Sequence, residues 1–209
     1  ANPAGVIDLP KTGLTLPDTL SVPEVIRLID AAGYEKPTQI RNTAMLELLY
    51  AAGLRVSELI HVELQDLNLE AGFVRVWGKG AKERHVPIGR KALAAIGGYR
   101  DALAERDGDV DLEGGPLFLN KNLGRLSTRS IARVVDRFAR ASGLSVPVSP
   151  HAMRHSFATH LLENGTDIRF VQALLGHASI RSTVRYLHVS NAYISHIESP
   201  FDALQKGEE

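Results

Sequence analysis

The 209-residue sequence contains no cysteine. A disulfide framework, a thiolate nucleophile and a Cys-rich zinc site are therefore all excluded. That absence fits a reducing compartment. The sequence also lacks a signal peptide and any long apolar run, so neither export nor a membrane span is expected, and the expected location is the cytoplasm. It has no excess charge of either sign, with 24 basic and 24 acidic residues. Taken as a total, that argues mildly against a nucleic-acid ligand, because domains that bind one are usually basic. What remains is ordinary for a globular protein: 44% apolar and 23% charged residues, enough for a sizeable core in one domain.

The distribution of charge softens the objection. Asp107, Asp109, Asp111 and Glu113 form an acidic, glycine-bounded loop, whereas residues 121–154 hold seven basic residues and one acid, Asp136. A neutral total can hide a basic face, and local charge is what meets phosphate.

Residues 1–20, with Pro3, Pro10 and Pro17, have no periodicity and read as a linker or arm. Ser21 and Glu24 have capping-box spacing and open a helix that lasts until Gly33. A second helix is expected from about Gln39 to Ala52 and a short one from Val56 to Ile60, with Arg55 at the corner between them. The period then changes. Residues 73–77 and 84–88 read as two strands joined by the turn Gly78-Lys79-Gly80-Ala81-Lys82. Further helices are expected from Arg90 to Glu105, from Ser127 to Gly143, from about His151 to Gly165, and after Thr166 as cap. On the second of these, Ile131, Val134, Val135 and Phe138 face inward. Arg129, Arg133, Arg137 and Arg140 share the outer side, which is either a solvated face or a duplex-contacting one. Residues 191–204 form a last helix or arm whose apolar points are Tyr193, Ile194, Ile197 and Phe201. Little is left in the chain for them to pack on, so a neighbouring molecule is the expected partner.

Chemistry concentrates in the last third. His151 and Arg154 lie one turn apart, His177 follows Gly176, and Tyr186 comes nine residues later. Arginine offers a fixed fork to phosphate oxygens, histidine moves protons near neutral pH, and tyrosine can be a nucleophile. Arg55 supplies a second fork and Lys79, at a hairpin tip, a cation able to approach an anion. Gly78-Lys79-Gly80 is not a Walker loop, since the leading glycines and the Lys-Ser/Thr pair are missing. The His151, His155 and His160 set invites a zinc reading, but it lacks the Glu of an H-E-x-x-H motif, and His160 sits at a different angle on the helix. No metal and no cofactor are expected.

Five separated segments then decide the matter: Gly53-Leu54-Arg55-Val56-Ser57-Glu58-Leu59, the Gly78-Lys79-Gly80 turn, residues 151–160, Leu174-Leu175-Gly176-His177, and Tyr186. In order and spacing they resemble the tyrosine site-specific recombinases, most nearly the Xer type that resolves chromosome dimers. The likeness runs from Leu20 to His188. It implies a mainly α fold with a small antiparallel β-sheet, the architecture shared with type IB topoisomerases. Residues 21–190 would be the catalytic domain, 1–20 the linker from an N-terminal DNA-gripping domain, and 191–209 a tail donated to a neighbouring subunit.

Residue by residue, the resemblance implies Arg55 and Arg154 as a phosphate clamp, Lys79 as general acid, and His151 as base or proton partner. His177 becomes the second histidine, Tyr186 the nucleophile and Glu58 a support beside Arg55. The expected DNA contacts are Lys82, Arg84, Lys121, Arg125, Arg129, Arg133 and Arg137. The implied partners are a double-stranded recombination site, a homo- or hetero-tetramer assembled on it through Tyr193, Ile194, Ile197 and Phe201, and an activating partner acting on the tail, with a nucleoid-associated location. A phage or mobile-element integrase is the alternative, followed by a topoisomerase-like relaxing enzyme and a non-catalytic DNA-binding module.

Overall fold

The computed structural model describes residues 19–78, 80, 82–107, 114–144 and 147–176. Lys79, His177, Tyr186, most of the 1–20 arm, the acidic loop at 108–113 and the whole tail lie outside the described residues. Among the described residues the order is α1 (Val22–Asp30), α2 (Pro37–Ala51), α3 (Val56–Leu59), β1 (Leu67–Asn68), β2 (Phe73–Trp77), β3 (Glu83–Pro87), α4 (Arg90–Asp107), α5 (Thr128–Ala141), α6 (Pro150–Glu163) and α7 (Ile168–Leu175), with a 3-10 turn at Leu64–Asp66. The fold is thus mainly α-helical with one small antiparallel sheet, as expected.

Local signals set most boundaries. The Glu24 carboxylate accepts from the Ser21 N–H at 2.8 Å and from its hydroxyl at 2.7 Å, starting α1. Pro37 occupies the first turn of α2, two residues ahead of the expected start, because proline needs no N–H there and presets φ. Ser127 and Ser149 cap α5 and α6 by accepting from the N–H groups of Ser130 and Ala152. For α7 the cap is Asp167, whose carboxylate accepts from Arg169 N–H at 2.7 Å, and not Thr166. A carboxylate at the positive end of a helix gains from charge as well as hydrogen bonding.

Two helices form the centre. α2 is buried nearly all round, from Asn42 to Leu46 and again at Leu48 and Leu49, and α6 from Met153 to His160. They pack together, and α4 packs against α2. Neither helix shows a clean apolar stripe, since elements cover them on several sides. The sheet has order β1-β2-β3, with Val74 opposite Val86 and Val76 opposite Arg84. β1 was not legible as a strand, because two residues carry no alternation. The apolar run Leu117-Phe118-Leu119 is buried beside isolated bridges, Glu63 to Pro116 and Leu119 to Arg125, and forms no longer strand. No described helix is long and apolar enough to cross a membrane.

Candidate active site

Glu58 organises the site. It sits in α3, 6% exposed, and three arginines reach its carboxylate. Arg55 gives its N–H to Oε2 and Nη1 to Oε1, both at 2.8 Å. Arg84 forms a fork on both oxygens at 2.9 and 2.8 Å, and Arg154 Nη1 approaches Oε2 at 3.5 Å. Burial pushes the Glu58 carboxyl up. The hydrogen bonds from Arg84 and the Arg55 N–H, with the charges of Arg84 and Arg154, outweigh burial and hold it below the usual carboxylate value.

Arg55 is the N-cap of α3, immediately after the turn at Gly53, whose φ is +55°. A side chain at Gly53 would strike the Phe157 ring, with Cδ1 only 2.3 Å from the added carbon. Close approach and positive φ both require glycine there. Arg55 remains 38% exposed despite its bond to Glu58. One end of the fork is fixed and the side chain still borders a cleft.

That cleft, about 480 Å³, is lined by Arg55, Ser57, Arg129, Ser149, His151 and Arg154 among others. None of the described lining residues is acidic. The first turns of α5 and α6 both open on it, through Thr128 and Arg129 and through Pro150 and His151. Two helix N-termini add their partial positive charge to that of the side chains. The arrangement can hold an anion such as a phosphodiester and stabilise charge developing on it.

The structure thus brings Arg55, His151 and Arg154, expected together, onto one cavity. Arg154 is more enclosed than a simple clamp requires. It is 1% exposed, and it donates from Nη1 to the Gly53 carbonyl at 2.6 Å and from Nη2 to the Leu175 carbonyl at 2.5 Å. It joins the loop before Arg55 to the end of α7 as well as lining the cleft.

The expected DNA-facing cations divide. Lys82, Lys121, Arg129, Arg133 and Arg137 are exposed. Arg84 is turned inward onto Glu58 and the Leu174 carbonyl, because it shares the interior side of β3 with Val86. Arg125 likewise is occupied internally, by the Ile60 carbonyl and by Glu63 at 3.0 Å. The sequence marks Arg129 as one of an outer stripe expected to meet DNA, and not as a lining residue of this cleft. The available signal was its position two residues after the Ser127 cap, at the positive end of α5.

The phage integrase family model matches residues 18–192. Among curated relatives, tyrosine recombinase XerD of Chlorobaculum tepidum is 43% identical over 96% of this chain and 66% of its own. Tyrosine recombinase XerC of Pelobacter propionicus is 44% identical over 90% of this chain and 61% of its own, so the chain spans less than two thirds of either relative. The crystal structure of the XerA recombinase superposes with TM-score 0.74 at 32% identity, covering 93% of this chain and 67% of that one. The XerH recombinase bound to its difH substrate gives TM-score 0.71 at 25% identity, over 87% and 53%. By the family model's span and by these relatives, the chain belongs to the phage integrase family of tyrosine recombinases.

Proposed function

We propose that this chain cuts and rejoins duplex DNA at a defined site through a 3'-phosphotyrosyl intermediate, as part of an Xer-type recombinase that resolves chromosome or plasmid dimers. The observation that carries the reading is the cleft on which Arg55, His151, Arg154 and Arg129 converge, with no acidic residue among its described lining. Relatives named XerC and XerD, at nearly equal identity, support the Xer assignment.

In the proposed reaction the Tyr186 oxygen attacks the scissile phosphorus while the bond to the 5'-oxygen breaks. The phenol, with an ordinary pKa of ~10, gives its proton to His151. Lys79, between β2 and β3 in sequence, gives a proton to the departing 5'-oxygen. Arg55 and Arg154 balance the charge gathering on the non-bridging oxygens, the task that metal ions perform at other phosphoryl-transfer sites. His177 supplies a further N–H to the same phosphate. Attack by a 5'-hydroxyl of the second duplex reverses each transfer, rejoins the strand and frees Tyr186, so no ATP is consumed.

Lys82, Lys121, Arg129, Arg133 and Arg137 meet the duplex backbone. Four subunits assemble around the junction, each passing Tyr193, Ile194, Ile197 and Phe201 to its neighbour. A ring of such head-to-tail contacts suits a four-armed substrate.

The test is a denaturing gel of protein incubated with a nicked duplex selected by binding from a random-sequence pool. The wild type is expected to remain bonded to DNA and Tyr186→Phe to bind without bonding. Covalent product in Tyr186→Phe sinks the nucleophile assignment. Relaxation of supercoils without reciprocal joining of two duplexes marks a topoisomerase-like enzyme instead. Equal cleavage and assembly after truncation at Ser190 overturns the donated tail.

A further inference from the structure

Along β3 the burial alternates, with Glu83, His85 and Pro87 outward and Arg84 and Val86 toward the interior. An arginine on the inward side needs acceptors for its donors, or its charge loses hydration without return. Arg84 has them. Nη1 and Nη2 hold the two Glu58 oxygens at 2.9 and 2.8 Å, and Nε donates to the Leu174 carbonyl at 2.7 Å. The side chain is 11% exposed.

These acceptors belong to different parts of the site. Glu58 lies in α3 and fixes Arg55, while Leu174 lies in the last turn of α7, just ahead of Gly176 and His177 in sequence. β3 itself is the return strand of the hairpin, and Lys79 lies between its two strands in sequence. Gly176 is fitted against the same guanidinium: its φ is +62°, and an added Cβ would come 3.1 Å from Arg84 Nη1.

We propose that Arg84 is a positioning residue for DNA cleavage, one planar guanidinium that sets the Lys79 hairpin, the Glu58–Arg55 pair and the end of α7 in common register. The inference rests on the recombinase reading above, and it gives Arg84 no contact with DNA. Lysine cannot take this place, since a point charge on a flexible stem cannot grip both carboxylate oxygens and a carbonyl on a third element. Loss of Arg84 leaves Glu58 paired with Arg55 and Arg154, so the carboxylate is not orphaned. The hairpin and α7 lose their shared anchor.

The experiment uses Arg84→Ala and Arg84→Lys, each checked for a cooperative thermal melt. Two quantities are compared with wild type on the selected duplex: the salt dependence of binding, and single-turnover cleavage at saturating DNA. Cleavage is measured on an ordinary phosphate and on a 5'-bridging phosphorothiolate, whose sulfur departs without a proton. Both variants should bind with an unchanged salt slope and cleave the ordinary substrate about 100-fold more slowly, the scale of an ångström-sized misplacement. The phosphorothiolate should recover most of that loss, since a misplaced general acid is no longer needed.

A salt slope reduced by about one with full cleavage at saturation would make Arg84 a phosphate contact and overturn the proposal. A slow variant that the sulfur substrate does not rescue would overturn the link to the hairpin. Should Arg84→Ala fail to fold, Arg84→Lys decides, and a wild-type rate in it overturns the proposal. Wild-type protein on the same gel tests the recombinase reading separately: absence of any covalent complex sinks that reading, and this inference with it.

Discussion

The Tyr50 hydroxyl stands 2.8 Å from His160 Nδ1, joining α2 to α6 at the centre of the molecule. The two rings also meet edge to face, with centroids 5.9 Å apart. One turn earlier on α6, the buried Ser156 hydroxyl accepts from the Leu20 N–H at 2.9 Å. The helix that carries His151 and Arg154 is thereby tied both to the central helix and to the segment preceding α1.

Burial pushes the His160 imidazole below its ordinary value of 6.5, with the Glu163 charge and a Leu20 backbone hydrogen bond pulling partly back. The folded protein favours the neutral ring, while the unfolded chain protonates freely. The stabilisation is therefore complete above the unfolded value and lost as pH falls through the folded one. The melting temperature should drop as pH falls below the ordinary imidazole value of 6.5, and drop less steeply in His160→Asn. Parallel curves for the two proteins would show that His160 is not the group responsible.

Glu58→Gln should cost about 3–5 kcal/mol, because Arg84 and Arg154 keep their buried charge and lose its counterpart. Urea unfolding measures it, and a loss below about 1 kcal/mol would contradict the hub. The lowered folded pKa of Glu58 means that its contribution is present above the ordinary carboxylate value and disappears as pH falls through the folded value. Wild type should lose that stabilisation in acid, and Glu58→Gln has none to lose.

Two glycine replacements should act in opposite directions. Gly53→Ala combines positive φ with a collision against Phe157 and should destabilise by about 1–3 kcal/mol or more. Gly98 lies inside α4 with nothing within 4 Å of an added Cβ, so Gly98→Ala should stabilise by about 0.5–1 kcal/mol. Thermal or urea unfolding of the pair reads both signs, and equal effects would refute the contrast.

Arg55 and Arg154, proposed above as the phosphate clamp, should separate when mutated. Arg55→Ala, at the exposed edge of the cleft, should cut cleavage at saturating DNA by about 100- to 1,000-fold with a small change in melting temperature. Arg154→Ala should cost both cleavage and about 2–4 kcal/mol of stability, since Gly53 and Leu175 lose their donor. Equal melting temperatures for the two variants would show that Arg154 does not brace the fold.

Arg129→Ala and Arg133→Ala should each lower the slope of log affinity against log salt by about one, while Arg125→Ala leaves it unchanged. A slope insensitive to either exposed arginine would make that face of α5 a solvated surface only.

Caps, turns and periodicity are properties of neighbours along the chain, and they were readable. Ser21 with Glu24, Ser127 before α5, and the hairpin around Gly78 each depend on contacts within a few residues. The alternation of β3 was readable too: Arg84 has the same parity as Val86, which already points it inward. Counting it as a DNA contact gave its charge more weight than its register. The burial of α2 and α6 on several sides was hidden, because a helix enclosed all round has no polar face to mark its phase.

By itself the sequence determined the helices and the β2–β3 hairpin, and which reactive side chains stand beside which turns. Tertiary structure alone decided that Glu58 would gather Arg84, 26 residues away, and Arg154, 96 away, and that Arg84 would reach Leu174 across 90 residues. Such pairings arise because a buried charge must find an opposite charge or a carbonyl once water is excluded, and only packing determines which partners are then within reach.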